Sequence, residues 1–136
     1  MEIEENKEIL PCDLPHGLTD IIFGRTYNKI IKKDILPSTL QKIVFGDDYN
    51  QEIYPNVLPE NLKYLQFGRY FSKQVNIDTL PKKLTHLIFT GTYNYLITCN
   101  TLPKNLCLSS FHIYNFLIDF YYILLIIFHN LYTLAM

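Results

Sequence analysis

The sequence has no tryptophan, only three cysteines and only five glycines in 136 residues. Charge of either sign is also scarce in excess: 12 Lys and Arg stand against 13 Asp and Glu, a formal net charge of -1. That balance gives no electrostatic footprint for nucleic acid, which needs clustered cations against phosphates. Cys12, Cys99 and Cys107 form an odd set with no tight spacing. They read as free thiols of a reducing compartment rather than a disulfide framework. The first ten residues, MEIEENKEIL, lack the basic-then-apolar order of a secretory signal, and no Asn-x-Ser/Thr acceptor occurs. A cytoplasmic location is expected, with membrane association as the alternative. The histidines, His16, His86, His112 and His129, show no metal-ligand spacing, and no cysteine pair has zinc-site spacing. There is no glycine-rich phosphate loop and no nucleophile elbow. The sequence therefore names no catalytic residue, no cofactor and no metal site, and an enzyme is not expected.

What the sequence does have is a repeat. Leu-Pro occurs at Leu14, Leu36, Leu58, Leu80 and Leu102, always 22 residues apart, and takes five of the seven prolines. Further columns keep this period. Leu18, Leu40, Leu62, Leu84 and Leu106 come first, then Ile21, Ile43, Leu65 and Leu87, then Phe23, Phe45, Phe67, Phe89 and Phe111. Gly24, Gly46 and Gly68 follow. Next come Tyr27, Tyr49, Phe71 and Tyr93, each trailed by Asn28, Asn50, Ser72 or Asn94, and the unit closes on Ile31, Ile53, Val75 and Ile97. A fixed period of this size means a solenoid or a related array.

Each column has a physical reading. The step from Ile21 to Phe23 is the two-residue alternation of a strand with one face in a core. Short strands are expected at residues 20–23, 42–45, 64–67 and 86–89, stacked in parallel about 4.8 Å apart. The Phe column then forms one aromatic ladder and the Tyr/Phe column a second. Proline starts each coil with a turn. Glycine suits either positive φ or a close backbone approach. Stacked asparagines can satisfy backbone groups. The Lys32-Lys33 and Lys82-Lys83 pairs read as solvated loop positions. In the fourth unit Thr90 takes the glycine position and Gly91 comes one later. The fifth keeps Leu102, Pro103, Leu106 and Phe111 and then slips, as a degenerate terminal repeat.

The consensus LP-x-x-L-x-x-[IL]-x-F-G-x-x-[YF]-N-x-x-I, seen most plainly in LPSTLQKIVFGDDYNQEI from Leu36 to Ile53, resembles the FNIP repeat, a relative of the leucine-rich repeat. FNIP repeats are known chiefly from social amoebae and giant viruses of amoebae, often behind an F-box. Only 13 residues precede the first Leu-Pro here, so an F-box is not expected. Asn28 falls five residues after Phe23, whereas the asparagine of an ordinary leucine-rich repeat falls three after its last strand leucine. The domain reading is a lead-in at 1–13, repeats over 14–105 (14–35, 36–57, 58–79, 80–101 and a fifth starting at 102), and a degenerate repeat with an apolar tail at 106–136. The expected fold is a solenoid of four full coils and a degenerate fifth.

From residue 116 the tail reads FLIDFYYILLIIF. Residues 111–131 reach the length of a membrane span. They include His112, Asn115, Asp119, His129 and Asn130, however, and a central Asp costs about 2.5–3.5 kcal/mol on insertion scales. Three readings stay open: a cap on the solenoid, a tail anchor, or a tail without selected function.

The strand positions between the core columns face outward: Asp20, Lys42, Tyr64 and His86 in one column, Ile22, Val44, Gln66 and Ile88 in the next. An exposed, mostly apolar stripe on an extended sheet face points to protein binding. Tyr64 is the expected anchor, since interface hot spots favour Tyr, Trp and Arg, and Arg25 and Arg69 are the expected rim. A non-catalytic protein-interaction scaffold with an unidentified protein partner is the expected function. The alternatives are a membrane-tail-anchored repeat protein and a degenerate fragment without selected activity. Cover of the stripe from within the same molecule, and self-association through unpaired solenoid ends, remain open as well.

Overall fold

The computed structural model describes residues 1–95, 97, 101–104 and 106, and the backbone of 111–113. The chain winds as a parallel solenoid whose coils begin at residues 14, 36, 58 and 80. Its strands are β1 (Glu2–Ile3), β2 (Asp20–Phe23), β3 (Lys42–Val44), β4 (Tyr64–Phe67), β5 (His86–Phe89) and β6 (Phe111–Ile113). They pair in chain order in one parallel sheet. From β2 to β5 the register steps by one repeat, as in Ile21↔Ile43, Ile43↔Leu65 and Leu65↔Leu87. The strands fall where the alternation places them, except that β3 stops at Val44. Among the described residues no helix occurs.

Three corners return the chain to the sheet. After each Leu-Pro, the proline carbonyl accepts from the leucine N–H three residues on, as in Leu40 N to Pro37 O at 3.1 Å. After β2, β3 and β4, Gly-x-x-Tyr or Gly-x-x-Phe closes the same way, Tyr49 N donating to Gly46 O at 3.3 Å. The third corner is built on a further set of polar residues. Asp34, Asn56 and Asp78, again one repeat apart, have φ of 65°, 63° and 62°. Asp and Asn tolerate this left-handed region better than other residues with side chains. Pro55 presets the preceding position, and Val57 N closes the turn on Tyr54 O at 3.3 Å.

The glycine column serves close approach, not positive φ. A Cβ on Gly46 would lie 2.2 Å from Gly24 O, and one on Gly68 would lie 2.0 Å from Gly46 O. Backbone stacks directly on backbone at this corner. In the fourth coil Thr90 donates both its N–H and its hydroxyl to Phe67 O, each at 3.1 Å.

The core is a set of ladders. Phe23, Phe45, Phe67 and Phe89 are almost fully buried, and successive rings stack with centroids 5.0, 5.6 and 5.2 Å apart. Tyr27, Tyr49, Phe71 and Tyr93 form the second ladder at 6.2, 6.3 and 6.1 Å. The two ladders lean on each other within a coil, 3.9 Å apart at Phe45–Tyr49. Such pairs add about 0.5–1.5 kcal/mol beyond area burial. A third ladder is polar. Asn28 N donates to Asn6 Oδ1 at 2.9 Å, Asn50 N to Asn28 Oδ1 at 3.0 Å, and Ser72 N to Asn50 Oδ1 at 2.9 Å.

The tyrosines of the second ladder differ at their tips. Tyr93 Oη accepts from Val75 N at 3.0 Å and donates to Lys73 O at 3.1 Å. The hydroxyls of Tyr27 and Tyr49 have no hydrogen-bond partner among the described residues. Burial pushes the Tyr27 phenol up to about 12, with the Glu8 charge adding to the effect. Burial raises Tyr49 further, reinforced by Tyr27. Tyr93 is raised by burial too, partly offset by the Val75 N–H.

Residues 1–13 stack as the later part of a coil. Ile22 N donates to Met1 O at 2.9 Å and Gly24 N to Ile3 O at 2.7 Å. Ile9 joins the core at the place of Ile31, and Lys32 pairs with Glu8. At the other end the register changes. Phe111 lies opposite Leu87 and Ile113 opposite Phe89. The sequence reading puts Phe111 in the Phe column, so it enters the sheet two residues too early for that. Cys12 is an exposed free thiol. Cys99, Cys107 and the tail from 114 onward lie outside the described residues, and the readings of the tail lie there with them. Among the described residues no helix is long and apolar enough to cross a membrane.

Candidate interaction surface

Alternation leaves every second strand side chain on the outer face of the sheet. Parallel register lines these side chains up in columns one repeat apart. Asp20, Lys42, Tyr64 and His86 occupy four adjacent rungs. The last three of them form a contact series. Thr19 Oγ1 donates to Asp20 Oδ2 at 2.7 Å. Lys42 Nζ lies 5.0 Å from the Tyr64 ring centroid, within cation–π range. The Tyr64 and His86 rings stack at 5.8 Å, and His86 Nδ1 is 2.9 Å from Thr85 Oγ1. Tyr64 is thus held between a cation on one side and an imidazole on the other.

The next column holds Ile22, Val44, Gln66 and Ile88. Ile22 is 41% exposed, and the other three are half-buried. Gln66 interrupts the apolar stripe, separating Ile22 and Val44 from Ile88. Its Oε1 accepts from Tyr64 Oη at 2.8 Å, so it links the two columns. The sequence reading names Gln66 without this role. A Tyr and a Gln two residues apart on one strand face is the signal for it.

Arg25 and Arg69 stand just beyond the strands on exposed corners. Arg25 Nε is 3.9 Å from Asp47 Oδ2, and Arg69 N donates to Asp47 Oδ1 at 3.4 Å. Among the described residues no group of three His, Cys, Asp or Glu could hold a metal ion.

The family model described as FNIP Repeat matches residues 6–48, 49–92 and 77–108. The chain is an FNIP repeat protein. A solved structure supports the fold: the crystal structure of CroV588, described as a novel circular LRR protein, matches with a TM-score of 0.59 at 38% sequence identity. The match covers 77% of this chain and 18% of that one, so this FNIP protein spans under a fifth of its neighbour's length. The comparison with curated proteins finds no match.

Proposed function

We propose that this FNIP protein is a non-catalytic protein-interaction scaffold that presents the outer face of its sheet to a partner polypeptide. The observation that carries this reading is the Lys42–Tyr64–His86 series. A large amphipathic ring is exposed in part, yet fixed by Lys42, His86 and Gln66 on a rigid parallel sheet. Side chains fixed before binding lose less entropy on binding, which is what separates an anchor from an incidental surface ring. Tyrosine at such a site supplies both apolar area and a hydroxyl. Ile22, Val44 and Ile88 add apolar surface beside it.

A pull-down with Tyr64→Ala and Ile88→Asp tests this, with Tyr54→Ala as the control. Tyr54 is 50% exposed on the corner away from the sheet. Partners bound by the parent and by the control should be lost from both sheet-face variants. If both variants fold and retain every partner, the sheet-face reading is wrong.

A further inference from the structure

One surface column alternates in charge and then breaks. Positions one repeat apart are Arg25, Asp47, Arg69 and Gly91. The first pair is matched, Arg25 facing the carboxylate of the next coil at 3.9 Å. The second is not. Among the described residues the Arg69 guanidinium makes no ion pair, and the residue stacked over it in the fourth coil is Gly91. No side chain can take that place, because a Cβ on Gly91 would lie 1.8 Å from Arg69 O.

The omission coincides with a cavity of about 490 Å³. The third coil lines it with Arg69, Tyr70 and Ser72 over Phe71, and the fourth with Thr90, Gly91 and Thr92. No carboxylate is among the lining groups. Two of the hydroxyls are already committed: Thr90 donates to Phe67 O, and Ser72 is bonded to Asn50. The donors left over are the Arg69 guanidinium and the hydroxyls of Tyr70 and Thr92. A guanidinium presents a planar fork of N–H groups that matches a carboxylate bidentately. One guanidinium balances one carboxylate, whereas a phosphoryl group brings about -1.5 to -2 charges.

We propose that this cavity takes the carboxylate of an Asp or Glu side chain from the docked partner, supplying to Arg69 the counter-charge that Asp47 supplies to Arg25. The proposal rests on the sheet-face reading and names the partner chemistry for it. The cavity lies directly beyond β4 and β5. Arg69 comes three residues after Gln66, and Gly91 three after Ile88.

The test is an NMR titration of the full chain with acetyl-Val-Glu-Val-amide and its Gln and phosphoserine counterparts. The readouts are the Gly91 amide and the Arg69 side-chain Nε–H. The Glu peptide should shift both signals, and the Gln peptide should bind about tenfold more weakly. Arg69→Gln should erase that difference, while Arg25→Gln should keep it. Equal binding of the Glu and Gln peptides, or no response at Gly91, overturns the proposal. Tighter binding of the phosphoserine peptide overturns the carboxylate assignment. The two readings fail separately. Loss of partners from Tyr64→Ala without Glu/Gln discrimination leaves the sheet face and removes the cavity site. Discrimination in a protein whose Tyr64→Ala and Ile88→Asp variants keep every partner leaves the carboxylate site and removes its partner on the sheet face.

Discussion

Gly68→Ala is the sharpest probe of how the coils stack. Its added Cβ would meet Gly46 O at 2.0 Å, against the 3.4 Å at which ordinary contact begins. The coils would have to part by about 1.4 Å. That is more than a quarter of the roughly 4.8 Å between neighbouring strands. An opening of that size takes a ladder hydrogen bond of ordinary length out of range. The backbone at Gly68 is not left-handed, so the cost is steric rather than conformational. Overpacking of this kind costs about 1–3 kcal/mol, and a contact with backbone, which cannot swing aside, belongs at the upper end. Gly24→Ala provides the internal scale, because its nearest backbone atoms are 3.0 Å away and the closest atom, at 2.9 Å, is the flexible end of Glu4. Gly17→Ala provides the contrast. Nothing lies within 4 Å of its Cβ, but its φ of 83° puts an alanine in the left-handed region, at about 1–2 kcal/mol. Urea melts of the three variants should place Gly68→Ala lowest in midpoint, with Gly24→Ala nearest the parent. A Gly68→Ala protein as stable as the parent, or less perturbed than Gly24→Ala, would refute stacking by backbone contact.

Phe45→Ala empties the middle of the Phe ladder and should cost about 3–5 kcal/mol on denaturant melting; a cost near zero would mean that the ring does not pack as described. Tyr49→Phe should be neutral or slightly stabilising because its hydroxyl has no partner, whereas Tyr93→Phe strips the acceptor from Val75 N and should cost about 1–3 kcal/mol; the reverse order would contradict the geometry. Alkaline pH should unfold the protein through these same phenols. Tyr27 and Tyr49 are raised in the fold above an unfolded value of about 10. Their contribution is therefore complete below pH 10 and is lost as pH rises toward about 12, the value of Tyr27, at about 1.4 kcal/mol per pH unit for each. Between pH 8 and 11 the parent should lose about 2–3 kcal/mol more than the Tyr27→Phe/Tyr49→Phe protein, and equal losses in urea melts would sink the assignment.

Much of this architecture is legible in the repeat. Alternation at Ile21 and Phe23 places the strands and separates inward from outward columns, because a strand has only two faces. Proline and glycine mark two of the corners. The third corner escapes because Asp34, Asn56 and Asp78 read as ordinary polar residues until their shared φ gives them one role. Residues 1–13 hide their kinship for a different reason. Asn6 and Ile9 precede Asn28 and Ile31 by 22 residues, but β1 meets β2 at an offset of 20, as in Glu2↔Ile22. Two residues are missing between strand and asparagine. Of the candidate surface, the eight strand positions follow from alternation, and Arg25 and Arg69 from their place beside the turn glycines. The cavity beside Arg69 depends on distances that no column contains.

Every ladder contact joins residues about one repeat apart, whether between Phe rings, asparagines or strand amides. Sequence separation between partners therefore stays the same however many coils are stacked. A globular domain that grows must close longer loops, and the entropy of those closures slows its folding. Here a further coil adds another closure of the same size onto an ordered template. Once two coils have met, the rest can zip on at nearly constant cost per step, and the time to fold is set by the first encounter rather than by chain length.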